Sequence, residues 1–176
     1  YRLLPSLLIF ASRLNLSGIE APEENFRVFE GKTPLFVYRE GWESEKDAYL
    51  GIKGGSPMTS HAHMDAGSFI YEYDGVRWSV ELGLQDYHSL ESVGVKLWDG
   101  HQGGQRWEVF RLDNMSHSTL TINGEHHLVK SFVPVVETWY VRARKGARLD
   151  MSSAFGPAVT AAERSSSALY PPRSIN

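Results

Sequence analysis

The stretch FIYEYDGVRWSVELG, residues 69–83, constrains the fold more than any other part of this chain. Asp74-Gly75 is a two-residue turn dipeptide flanked on both sides by aromatic and β-branched residues, the signature of a hairpin. Such a turn pairs Tyr73 with Val76 and sets the register outward, so Tyr71 is expected to face Trp78, and Phe69 to face Val80. Side chains of a strand alternate between faces. One face should therefore carry Phe69, Tyr71, Tyr73, Val76, Trp78, Val80 and Leu82 as a core face, its aromatic rings packed inside rather than offered to a sugar. The other face should carry Glu81 and the cross-strand pair Glu72–Arg77.

The same period of two recurs along the chain. FRVF (26–29), PLFVYRE (34–40), DAYLGIKG (47–54), EVFRL (108–112), STLTINGEHHLV (118–129), VVETWYVRAR (135–144) and ARLDMSSAF (147–155) all have strand character. Asn123-Gly124 and Lys145-Gly146 are further turn dipeptides. Many short strands at this spacing predict a mainly β chain folded as an antiparallel β-sandwich. Residues 2–14 have helical apolar spacing and end at the stop signal NLSG, so residues 1–25 are expected to be the end of a helix and a linker. The sandwich is expected over 26–155. The Ser- and Pro-rich segment 156–176 is expected to be frayed or cut short, and the whole chain to be a piece of a longer protein.

The chain has 176 residues, net charge −3 and no cysteine. The charge argues against a nucleic-acid surface, and the apolar run near the start is too short to span a bilayer. Without cysteine, any metal must be held by His, Asp or Glu. The candidates cluster in SPMTSHAHMDAGSF, residues 56–69, where His61, His63 and Asp65 alternate. In an extended segment they would share one face, and an HxH pair on a strand can hold one metal ion. Glu81 on the next strand and His117 in NMSHSTLTING add a carboxylate and a third imidazole. Two His and one carboxylate with a vacant position form a catalytic-type zinc set. In an unbroken hairpin, His63 and Glu81 would point to opposite sides, so this reading predicts an irregular backbone between Asp65 and Ser68, near Gly67. The plainer reading stands beside it: His61 and His63 as polar groups on an exposed strand, Asp65 as a turn former, Glu81 as an edge charge, and His117 as a surface histidine. His88, His101, His126 and His127 are expected at the surface.

These segments resemble the heparinase II/III-like polysaccharide lyases, a family that includes oligoalginate lyases. VYREGW, DAYLGIKGG, SHAHMDAGSF, RWSVELG, QRWEVFRLDNMSHSTLTING and RLDMSSAF carry the likeness, over residues 26 to 155. The resemblance implies an N-terminal helical toroid packed on a C-terminal β-sandwich, with the substrate groove between them, and makes residues 1–14 the expected end of that toroid. It implies a zinc ion held by His63, Glu81 and His117. It places His61 beside the uronate carboxylate of the substrate, as a catalytic group, and Asp65 behind the ligands as an orienting group. The activity implied is β-elimination on a uronic-acid polysaccharide, a glycosaminoglycan or alginate, in the periplasm or outside the cell. Two positions depart from the family pattern: Glu81 stands where Asp is usual, and Ser118 where Asn is usual. The family's main base and acid come from helical segments with no counterpart in this chain.

Two other classes compete. One is a non-catalytic β domain that binds carbohydrate or scaffolds a helical partner. The other is a cupin-like metal enzyme, which needs a Glu four or five residues after HxH, where this chain has Gly67 and Ser68.

Overall fold

The computed structural model describes residues 4–141 and 144–169. The first residues of the expected N-terminal helix, the expected strand end at 142–143 and the last residues of the expected loose end lie outside them. Eight strands form two antiparallel sheets. The first sheet is a meander of β1 (Phe26–Phe29), β2 (Leu35–Arg39), β3 (Tyr49–Lys53), β4 (Phe69–Tyr73) and β5 (Val76–Ser79). The second is a meander of β6 (Val135–Val141), β7 (Arg144–Asp150) and β8 (Glu163–Leu169). The mainly β, antiparallel architecture expected from the period of two is the one observed.

Alternation places the core. On β2, Phe36 and Tyr38 are buried, and they lie opposite Ile52 and Leu50 of β3, also buried. This face packs on Ala147 and Leu149 of β7 and Ala168 of β8, so the two sheets close one core between them. Gly54 and Gly55 pin them together. Gly55 and Val133 exchange backbone hydrogen bonds of 2.9 Å each, and a Cβ on Gly54 would stand 2.3 Å from the Val133 carbonyl oxygen.

Five expectations are corrected. Segment 163–169 is not frayed: β8 pairs with β7 along its whole length, from Arg144↔Leu169 to Asp150↔Glu163. Its Ser-rich composition hid a strand whose partner, not its own side chains, fixes it. Lys145-Gly146 is not a turn but lies inside β7, where a Cβ on Gly146 would stand 2.2 Å from the Ser166 carbonyl oxygen of β8. Residues 108–112 and 118–129 form no strand; 3₁₀ turns at Gln105–Glu108 and Asn114–Ser116 and irregular chain stand there. His127 is fully buried rather than at the surface.

The fifth correction is the hairpin register. The turn pairs Tyr73 with Val76, and Glu72 lies opposite Arg77 and bonds to it. Beyond that pair the register shifts, and Tyr71 faces Ser79, not Trp78. Trp78 is the additional residue of a β-bulge. The bulge inverts the parity of everything after it: Val76, Trp78, Val80 and Leu82 are exposed, while Ser79 is buried.

At the N-terminus, α1 (Leu4–Ala11) forms as the spacing predicts, with its apolar side chains exposed. Among the described residues, no helix is long and apolar enough to cross a membrane.

Candidate functional site

The HAHMD segment is not a strand. It is a chain of turns running from Ser56, with the Thr59 amide on the Ser56 carbonyl at 3.3 Å and the Ala62 amide on the Thr59 carbonyl at 3.0 Å. His61 lies in the left-handed region at φ 61°, an uncommon conformation for a side chain of this size. Buried Arg106 clamps the turn, donating from Nη2 to the Ala62 carbonyl at 2.7 Å and from Nη1 to the Leu97 carbonyl at 3.2 Å. The Met64 amide then bonds to the Leu112 carbonyl at 2.9 Å, and the Met64 side chain is fully buried. His63 and Asp65, on either side of Met64, open together into a cavity of about 370 Å³. The expected sharing of one face therefore holds for these two. His61 turns away and lines a different cavity.

Glu81 and His117 line the same cavity as His63 and Asp65. Two irregularities bring them there. Gly67 turns at φ 86°, with the Ser68 amide on the Asp65 carbonyl at 3.1 Å. A Cβ on Gly67 would meet Met151 Sδ at 2.7 Å and Thr119 Oγ1 at 2.8 Å, so only glycine fits this left-handed position. This is the irregular backbone expected between Asp65 and Ser68. The second irregularity, the bulge at Trp78, was not expected; it swings Glu81 to the side of His63.

His117 follows the 3₁₀ turn Asn114–Ser116, which Asp113 caps by accepting from the Met115 amide at 2.7 Å. One Glu81 oxygen is hydrogen-bonded to His117 Nδ1, and the other accepts from the Ser118 amide at 2.9 Å. Burial alone would raise the Glu81 carboxyl, but these two hydrogen bonds outweigh it and hold it below the usual carboxylate range. An ionised Glu81 assigns the imidazole proton to Nδ1 and leaves the lone pair on Nε2. That Nε2 is buried and has no hydrogen-bond partner among the described residues. The His63 ring lies 5.3 Å from the His117 ring, centroid to centroid. Burial pushes His63 below the usual histidine value, against a smaller opposing pull from Asp65, so it too is a neutral donor.

Asp65 is paired with Lys53 of β3, a partner that sequence reasoning missed. The signal was present: Lys53 is the one charged residue at the end of the otherwise apolar strand YLGIK. Ser79 and Ser118 join the two halves of the site through a 2.9 Å hydroxyl contact. Among the described residues, no group of three or more His, Asp or Glu side chains stands already arranged around one metal position. As placed, Glu81 orients His117, while two imidazoles offer lone pairs.

The likeness to known proteins agrees with this architecture. Residues 35–169 match the family described as "Heparinase II/III-like, C-terminal". Two solved structures share the fold: heparan sulfate lyase HepC from Pedobacter heparinus (TM-score 0.62, 15% identity) and a mutant of it (TM-score 0.63, 16% identity). In both cases the alignment covers 96% of this chain and 24% of the solved chain, so this chain spans about a quarter of their length. No curated protein matches. With the match covering most of the sequence, over both sheets and every residue of the His63 cavity, the chain belongs to the heparinase II/III-like family and carries its C-terminal domain.

Proposed function

We propose that this domain serves a polysaccharide lyase that cleaves uronic-acid polysaccharide by β-elimination, with one zinc ion shaping the site. One observation carries the reading: a buried, partnerless Nε2 on His117 stands beside the neutral His63 in the cavity of a heparinase-type sandwich. An unmet buried nitrogen is costly, about 1–3 kcal/mol, and neutral imidazoles are good zinc donors. His63 and His117 would hold the ion, with Glu81 as third donor. Glu81 takes that place only by giving up its contact with His117; otherwise it acts as the carboxylate that fixes the ring. When bound, zinc supplies fixed positive charge and rigidity, since elimination adds no water.

In the elimination, the uronate carboxylate is neutralised, which acidifies the C5 proton. A base removes that proton, the C4–C5 double bond forms, the C4–O bond breaks, and an acid protonates the departing oxygen. His61 is the group of this chain proposed beside the carboxylate. Asp65, held by Lys53, steadies the HAHMD turn at the cavity wall. The main base and acid are proposed to come from an N-terminal helical toroid, with the protein acting in the periplasm or outside the cell on an acidic polysaccharide such as a glycosaminoglycan; alginate is the other substrate class.

The test is metal content of the purified chain beside its His63→Ala and His117→Ala variants. About one zinc per chain, lost in both folded variants, is expected. A folded wild type without zinc removes the metal from the proposal. In the parent protein, an unchanged rate of unsaturated-uronate formation in His61→Ala would remove His61 from the chemistry.

A further inference from the structure

The cavity that His61 lines is the larger of the two, about 620 Å³, and the chemistry above gives it no role. Its floor is apolar, with Trp107 and Val129 buried beneath it. Trp98 stands at its side, 59% exposed. Such exposure on a large ring normally marks a mobile side chain, but this one is fixed. Its Nε1–H donates to Glu91 at 3.0 Å. Its ring meets His61 edge-on at 5.2 Å and Tyr87 edge-on at 5.6 Å. The neighbouring Leu97 is buried and takes the Arg106 guanidinium on its carbonyl. The indole is thus a rigid, exposed plate beside a cavity.

The charges around it have one sign. Among the described lining residues there is no Asp or Glu, while Arg106, Lys130, His61 and His101 all line it. Arg106 is spent on the Ala62 and Leu97 carbonyls, and His101 is paired with Asp99. Lys130 is exposed and has no ion-pair or hydrogen-bond partner among the described residues. An apolar plate with one uncommitted cation at the rim, in a cavity free of carboxylates, suits a ring that has an apolar face and carries an anion.

We propose that this cavity is a sugar subsite, in which the C–H face of one acidic sugar ring stacks on Trp98 while Lys130 meets its carboxylate or sulfate. The subsite lies one turn away from the His63 cavity, joined to it by the HAH segment. It rests on the reading of the protein as one that acts on uronate polysaccharide, and it adds the place where a neighbouring ring of that polymer is held. Trp98 and Lys130 are here binding residues, not catalytic ones.

The test is calorimetric titration of the full chain with two probes: a heparan sulfate tetrasaccharide, and the same tetrasaccharide desulfated and carboxyl-reduced. Trp98→Ala is expected to weaken binding of both by about ten-fold, and Trp98→Phe much less, because the phenyl ring keeps a plate. Lys130→Met is expected to weaken only the acidic probe, by about three-fold, an effect that shrinks as salt rises. Trp98 and Lys130 are exposed, so melting curves of these variants should match the wild type and exclude unfolding as the cause. Trp98→Ala binding like the wild type overturns the subsite, as does a wild type that binds neither probe. The reading of the protein as a lyase fails separately. Trp98-dependent binding by a parent protein that releases no unsaturated uronate sustains the subsite and sinks the lyase. Elimination with binding indifferent to Trp98 does the reverse.

Discussion

Two regions of this molecule are held together in different ways. The sandwich, 26–79 and 135–169, is a set of backbone ladders closed over Phe36, Leu50, Ile52, Val133 and Leu149. The segment between β5 and β6 has only the short α2 (Tyr87–Glu91) and 3₁₀ turns, with its own smaller core of Leu97, Trp107, Leu112 and Val129, into which Met64 inserts. There the backbone is satisfied by side chains. Asn114 donates to Thr121 Oγ1 at 2.9 Å and to the Glu125 carbonyl at 3.2 Å, and accepts from the His127 amide at 3.0 Å. Gln102 accepts from the Val129 amide at 2.7 Å. Regular ladders tolerate change at single side chains, whereas a loop organised by a few polar anchors depends on each of them. The site residues sit where the two regimes meet: Lys53 on a strand, Glu81 just after one, His117 and Trp98 in the loop.

The largest expected effects test whether the two cores are separate. Phe36→Ala and Trp107→Ala each remove a fully buried ring, at about 3–5 kcal/mol. Phe36→Ala should lower the protection of amides throughout both sheets in hydrogen exchange. Trp107→Ala should open the segment from 84 to 131 while leaving β2, β3 and β7 protected. Equal loss of protection everywhere in both variants would show one cooperative core and dissolve the distinction.

Arg106→Met comes next. It keeps the aliphatic stem but leaves the Ala62 and Leu97 carbonyls without their charged donor, at about 1.5–3 kcal/mol. The guanidinium also stacks over Tyr87 and Trp107, at 5.9 and 5.3 Å from their ring centroids. The expected outcome is a lower melting temperature together with loss of the left-handed His61 conformation. An unchanged His61 backbone, read by chemical shifts, would mean that the turn holds itself and that the loop is less dependent on anchors than argued here.

The sheets were legible in the sequence, and the loop that organises the site was not. Periodicity found β1 to β4, β6 and most of β7 because alternation and burial coincide there. It failed at 108–112 and 118–129, where apolar residues alternate just as well, because Asn114, Asp113 and Thr119 give the backbone other partners. It missed β8, whose seven residues include three serines in a row and are fixed by pairing with β7. At the site, the gathering of His63, Asp65, Glu81 and His117 in one cavity was foreseeable from residue types. The turn at Gly67 was foreseeable from the parity conflict it resolves. The bulge at Trp78 leaves no mark in composition, and with it went the exposure of Trp78 and the burial of Ser79.

A smaller effect separates the regions by pH. His127 is buried in the loop region, its Nε2–H on the Leu120 carbonyl at 2.7 Å and its Nδ1 without a partner among the described residues. Burial pushes it below the usual histidine value. The unfolded chain therefore binds this proton more readily, near pH 6.5, than the native state does. Its contribution is fully present above that value and is lost as pH falls through the lowered native one. His63 shares the direction. Wild-type melting temperature should fall between neutral pH and about pH 5, and His127→Gln should start lower but fall less steeply. Parallel slopes would remove His127 as a cause.

The smallest effect concerns the one side-chain pair on which the hairpin reading depended. Glu72 and Arg77 lie opposite each other just before the bulge, with both side chains partly exposed. If ladders hold the sandwich, this pair matters little. A double-mutant cycle with Glu72→Gln and Arg77→Gln should give a coupling of about 0.2–0.5 kcal/mol, declining with added salt. The register itself should survive in the double variant, because the Asp74-Gly75 turn and the backbone bonds set it; unchanged cross-strand contacts between Tyr71 and Ser79 by NMR would show this. A coupling well above about 1 kcal/mol, or loss of the bulge, would mean that a side chain anchors the sheet as Asn114 anchors the loop. The contrast between the two regions would then be one of degree.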